Sequence, residues 1–197
     1  DLFETELTVM KALKSPYVPK LAGTGNMAKK PYIAMERLDG RPLDKLIEEQ
    51  GGKLSEIEQT IQIVSNLALA VASLHAQDVI HLDLKPENIL VTKDNRVALI
   101  DFGLAHHMRY PDLLVEQMKK GVGSAPYISP EQVMGLRNDW RSDIFSIGAI
   151  LYEMLTGEFP FGSPSTIGGL RKRMWLEPFP PRSIRKERSE EHTSELQ

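Results

Sequence analysis

The sequence predicts an α+β fold, with one helix and two short strands leading into a mainly helical body. Three observations carry this reading. Residues 3–14 repeat apolar side chains at helical spacing, and two short apolar runs follow them, separated by a Gly- and Asn-rich stretch. A long amphipathic run then opens at Ser55, and a second apolar helix opens at Asp143. Between those helices lie only short β-rich runs and polar, proline-broken segments.

In order along the chain, Phe3, Leu7, Met10 and Leu13 place residues 3–14 on a helix. Ser15-Pro16 ends it, because the residue before proline is pushed out of the α region. Val18–Leu21 and Tyr32–Met35 read as antiparallel strands of a hairpin, and Pro42–Gln50 as a short helix. Ser55 and Glu58 fit a capping box, after which Ile57, Ile61, Val64, Ala68 and Val71 trace the expected buried face. His81–Asn88 is too polar and proline-broken for a helix. Ile89–Val91 and Val97–Ile100 read as strands around Lys93-Asp94-Asn95, and Asp143–Thr156 as a helix stopped by Gly157 and Pro160.

The 197 residues suffice for one domain or a little more. A net charge of −3 provides no basic surface, so a nucleic-acid partner is not expected. With no cysteine, disulfides and thiolate metal sites are excluded. No apolar run is expected to reach the about 18 residues of a spanning helix; Ile144–Leu155 is broken by Ser146, Gly148 and Glu153, so no membrane segment is expected here. The chain begins at Asp1 and not Met, so its true N-terminus is expected to be missing, and a cytoplasmic location is expected. Residues 188–197 are polar and aperiodic, and one reverse translation, AGATCGGAAGAGCACACGTCTGAACTCCAG, resembles a widely used sequencing adapter. They are expected to be a non-native tail and are excluded from fold reasoning.

Three clusters carry chemistry. The first is His81-Leu82-Asp83-Leu84-Lys85-Pro86-Glu87-Asn88, the second Asp101-Phe102-Gly103. The third runs Gly123-Ser124-Ala125-Pro126-Tyr127-Ile128-Ser129-Pro130-Glu131 and is followed by Asp143. Phosphoryl transfer asks for a base near the acceptor hydroxyl, cations around the phosphate and hard oxygens to hold them. Asp83 can serve as that base, Lys85 can neutralise phosphate charge, and Asn88 and Asp101 offer hard oxygen ligands that suit Mg²⁺. Gly103 offers backbone freedom beside Asp101. Each residue taken singly also reads as an ordinary turn or cap residue; their order and spacing do not.

In that order the clusters resemble the eukaryotic-type (Hanks-type) protein kinase family, over residues 1–187. The resemblance implies a two-lobe fold: an N-lobe remnant at 1–37 and an incomplete C-lobe at 38–187. It implies transfer of the γ-phosphate of ATP, with Mg²⁺, to hydroxyls of protein substrates. Lys85, two residues after Asp83, and Ser124 match the Ser/Thr class, and Ser124 is expected to bridge Asp83 and Lys85. Glu6 matches the helix Glu that pairs with an ATP-binding Lys upstream of this chain. Glu36 and Leu38 match the backbone that bonds adenine, Met35 the residue guarding the back of that pocket, and Leu90 and Ile100 its apolar walls. Met10, Leu21, His81 and Phe102 match an apolar column joining the lobes, and Asp143 a buried helix-start Asp that holds the catalytic-loop backbone. The wording of residues 121–162 is similar to bacterial members.

Two departures stand out. The Gly-rich loop, the ATP-binding Lys and the Arg that pairs with Glu131 lie outside the chain, so the isolated piece is expected to be marginally stable and inactive. Leu82 stands where most of the family has Arg, and residues 101–123 hold no Ser or Thr, only Tyr110 as a hydroxyl. His106, His107, Lys119 and Lys120 are expected to be solvated loop residues. A catalytically inactive pseudokinase acting as a scaffold is the alternative reading.

Overall fold

A computed structural model describes residues 2–114, 124–164, 166–173 and 175–184. The tail at 188–197, Lys119 and Lys120 lie outside them. Helix α1 (Leu2–Ala12) precedes the strands β1 (Leu21–Met27) and β2 (Lys30–Met35). There follow β3 (Arg41–Pro42), α2 (Leu43–Glu49), α3 (Ile57–His75), β4 (Val79–Ile80), a 3₁₀ turn at Pro86–Asn88, β5 (Ile89–Val91), β6 (Val97–Leu99) and β7 (His106–His107). The remainder is helical: α4 (Pro130–Val133), α5 (Arg141–Thr156), α6 (Ile167–Arg173) and α7 (Pro181–Ile184). This is the α+β arrangement the sequence predicts.

β1 and β2 are antiparallel, and Ala28 and Lys29 make the turn at φ 49° and 66°. Two positive-φ residues match the right-handed strand twist in a two-residue hairpin. The first strand begins only at Leu21, not at Val18, because Pro19 lacks the N–H that a ladder needs. Glu36 N–H still donates to Lys20 O at 2.8 Å, which carries the pairing past both strand ends.

β3, β5 and β6 form a three-stranded sheet, with β5 and β6 paired antiparallel from Ile89↔Leu99 to Val91↔Val97. His106 and His107 are not solvated loop residues: they pair with Ile80 and Val79 as β7 on β4.

The long helix differs from expectation in two ways. It starts at Ile57, with Glu56 at the cap position and no side-chain capping bond, so the Ser55–Glu58 box is not formed. Ser55 N–H is instead held by Gln50 Oε1 at 2.9 Å, which ties this loop to α2. Its buried stripe is Thr60, Ile63, Leu67, Ala70, Val71 and Leu74, while Ile61 is 55% exposed. Apolar residues lie on several sides of α3, so periodicity admits more than one stripe; contact with α5 and β6 selects this one. By length and composition α3 is apolar enough to cross a membrane, contrary to the reading of the sequence. In this fold Ile63, Leu67 and Leu74 are fully buried among protein side chains.

α5 ends at Gly157, whose φ of 76° is the left-handed C-cap that glycine adopts without penalty. A Cβ there would sit 3.2 Å from Gly52 O. Beside it, Leu54 N–H donates to Met154 O at 2.9 Å and clamps the α2–α3 loop onto α5.

Candidate active site

The segment from His81 to Asn88 is irregular, and its shape is imposed from outside. Asp143, fully buried at the start of α5, accepts the N–H of His81 on Oδ2 and that of Leu82 on Oδ1, each at 2.9 Å. His75 Nε2, at the end of α3, lies 2.8 Å from the same Oδ2. Gln132 Nε2 donates to Leu82 O at 2.6 Å. These bonds hold Leu82 at φ 63°, a conformation that costs a non-glycine residue of order 1–3 kcal/mol and persists only where the surroundings over-determine it. The Leu82 side chain is buried.

With that backbone set, the predicted catalytic residues converge. Asp83 Oδ2 lies 3.1 Å from Lys85 Nζ, and Asp83 Oδ1 accepts from Ser124 Oγ at 3.2 Å. Asn88 Nδ2 donates to Asp83 O at 3.0 Å and to its Oδ2 at 3.2 Å. Both bonds use the amide nitrogen, so the Asn88 amide oxygen keeps its capacity as a hard ligand. Burial pulls the Lys85 ammonium down, but the carboxylates of Asp83, Glu87 and Asp101 outweigh it and raise its pKa, keeping it charged.

Asp101 is exposed and also sits in the left-handed region, at φ 62°. Its Oδ1 accepts Gly103 N–H at 3.2 Å. Gly103 matters through space rather than through backbone freedom: it is not in the positive-φ region, and a Cβ would stand 3.3 Å from Asp101 Oδ1. Phe102 is buried and its ring lies 5.0 Å from that of His81. The His81 imidazole accepts Asp83 N–H on Nδ1 at 3.4 Å, and its Nε2 lies 3.3 Å from Ile100 O. Met10 joins the same core, whereas Leu21 is only half-buried.

Glu6, Met35, Glu36, Leu38, Leu90, Ile100 and Asp101 line one cleft of about 330 Å³, with Pro19 as an eighth wall that motif reading had not found. Burial raises the pKa of Glu6, the charge of Asp101 raises it further, and the Phe102 backbone N–H lowers it in part. The apolar side chains of Leu90 and Ile100, the adjoining Glu36 and Leu38 and the carboxylate of Asp101 line this cleft, and Asn88, bonded to Asp83, offers a second hard oxygen; these groups suit a flat base and a metal-bound phosphate chain. The residues present therefore fit ATP and Mg²⁺. A larger open groove of about 860 Å³, lined mainly by residues 37–41 and 91–96, holds none of the catalytic motif residues.

Three supporting residues were not foreseen: His75, Gln132 and Arg137. Gln132 had a legible signal, since Ser129-Pro-Glu-Gln132 is a capping box that the structure forms at the start of α4. Glu131 Oε2 is buried without a hydrogen-bond partner among the described residues.

A family model described as protein kinase domain matches residues 1–194. A protein named "Probable serine/threonine-protein kinase" from Clostridium perfringens is 36% identical over 182 residues, 92% of this chain and 26% of that protein. Serine/threonine-protein kinase PknB of Mycolicibacterium smegmatis is 34% identical, and that of Mycobacterium tuberculosis 33%, each over 91% of this chain and 29% of the relative. The chain thus spans between a quarter and a third of the length of these curated relatives.

Proposed function

The chain belongs to the protein kinase domain family, and from that premise we propose that it is part of a serine/threonine kinase that transfers the γ-phosphate of ATP to hydroxyls of protein substrates. The observation that carries the reading is the joint placement of Lys85, Asn88 and Ser124 around one carboxylate, Asp83. In this reading Asp83 orients the acceptor hydroxyl and takes its proton, and Lys85 neutralises charge on the transferring phosphate. Ser124 fixes the Asp83 carboxylate. Asn88 and Asp101 would hold Mg²⁺, which when bound screens the phosphate charge. The backbone of Glu36 and Leu38 would bond adenine over Leu90, and Glu6 would pair with a lysine from an upstream strand. Residues 1–37 are read as part of the smaller lobe and 38–187 as part of the larger. The site belongs where ATP is abundant, in the cytoplasm.

The test is phosphotransfer from labelled ATP and Mg²⁺ to a protein substrate by the full-length protein, followed by phosphoamino-acid analysis. Phosphoserine or phosphothreonine that disappears in Asp83→Asn is the expected result. Labelling confined to tyrosine, or unaffected by Asp83→Asn, would overturn the reading.

A further inference from the structure

The segment that follows Asp101 has no hydroxyl of Ser or Thr before Gly123, and Leu82, where the resembling family carries Arg, is buried and bonded at both its N–H and its C=O. The stretch 104–112 is nevertheless tied down by a side chain from the connection between α4 and α5. Arg137, only 8% exposed, donates from Nε to Asp112 Oδ2 at 2.7 Å and from NH2 to Leu104 O at 3.0 Å. One guanidinium thus grips both ends of the excursion that contains β7. The planar fork of Arg suits such two-point binding, which the single ammonium of Lys does not. Asp112 is in turn anchored, its Oδ1 accepting Leu114 N–H at 3.0 Å, and Leu114 is fully buried. Burial pushes the Asp112 carboxyl up, but Arg137 and the Leu114 N–H outweigh it, and His106 Nδ1 lies 4.0 Å from its Oδ2.

We infer that Arg137 and Asp112 are positioning residues for phosphotransfer, a built-in latch that fixes the segment after Asp101 without a bound phosphate. Breaking a buried pair by removing one partner leaves an uncompensated charge, so the latch is discriminating as well as stabilising. Gln132, which holds Leu82 O, lies in α4 just before that connection, so both flanks of the site hang from the stretch that runs from α4 to α5. The inference rests on the kinase reading above.

The test compares the full-length protein with Arg137→Ala, Asp112→Ala, the double variant and the milder Asp112→Asn. Each single change is expected to lower kcat by about tenfold to a hundredfold, since a misplacement near 1 Å costs that much. The KM for ATP should move by less than about threefold, because the adenine cleft does not touch the latch. The double variant should lose no more than the worse single variant, the signature of one shared interaction. Tryptic cleavage after Arg109, read without any catalysis, should be about tenfold faster in each variant, reporting local opening. Wild-type kcat and wild-type cleavage in the single variants would overturn the latch, as would losses that multiply in the double. If the alanine variants do not fold, Asp112→Asn decides by the same two readouts. If the wild type itself transfers no phosphate, the functional reading fails, and the cleavage rates still decide the latch.

Discussion

The carboxylate of Asp143 accepts the backbone N–H of Leu82 at 2.9 Å, and through it the α5 helix dictates the position of a residue 61 places earlier in the chain. The adjoining Asp83 takes its backbone position from that bond. The catalytic loop has no regular structure of its own between β4 and the 3₁₀ turn, so its shape depends on such distant anchors.

Asp143→Asn places an NH₂ against one of two buried N–H donors. It is expected to destabilise the fold by about 1–3 kcal/mol, the cost of leaving a buried donor unsatisfied. Phosphotransfer should fall with it. Denaturant titration and initial rates measure both, and an unchanged midpoint would count against the anchoring role.

Asp83→Asn should reduce phosphotransfer by about 10²–10⁴-fold with ATP binding nearly intact, because in the proposed function Asp83 serves the acceptor and not the nucleotide. In the same reading Asp101→Asn should instead weaken Mg²⁺-dependent nucleotide binding, because a neutral amide replaces the carboxylate's charge and one of its two oxygens. Titration calorimetry with ATP, with and without Mg²⁺, separates the two. Equal effects of both changes on binding would refute the division of roles.

Glu6 carries a pH signature. Its folded pKa is raised above 4.5 by burial and by Asp101, so folding favours the protonated form. The stability this contributes is fully present below 4.5 and is lost as pH rises through the raised folded value. Glu6→Gln keeps an oxygen for the Phe102 N–H and removes the charge. In the chain without a lysine partner it should raise stability at neutral pH and flatten the pH dependence above 4.5. Denaturation curves of the variant that simply parallel the parent across that range would contradict the assignment.

Loop phosphorylation should be dispensable. With no Ser or Thr between Asp101 and Gly123, treatment of the full-length protein with a broad phosphatase should leave its initial rate unchanged. A large loss of activity, mapped by mass spectrometry to a phosphate in that stretch, would show that Tyr110 acts as a switch.

Much of the site was legible in residue order alone. Asp83, Lys85 and Asn88 meet within hydrogen-bond reach because residues two to five apart in one short loop cannot separate far, whereas Ser124 arrives from 41 residues away, as its motif position implied. The cleft residues Glu6, Met35, Glu36, Leu38, Leu90, Ile100 and Asp101 also converge as their motif positions implied. The β5–β6 pairing followed from its short connection and turn residues, whereas the Gly- and Asn-rich stretch read as the connection of the first hairpin is strand β1 itself, with the turn at Ala28 and Lys29.

The sequence by itself determined the class of most of the longer elements and the identity of the chemical groups, since these depend on local propensity and on side-chain type, and its resemblance to a family named all of the cleft's members but Pro19. Tertiary structure decided which face of α3 is buried, because its apolar residues surround the helix and only α5 and β6 select among them. It gave the Ser55 N–H to Gln50 in place of the expected capping box. It turned His106 and His107 into a strand through pairing with β4. And it joined Arg137 to Asp112 and Leu104, a contact spanning 25 and 33 residues that no local pattern encodes, since a long-range ion pair becomes visible only when packing brings its partners together.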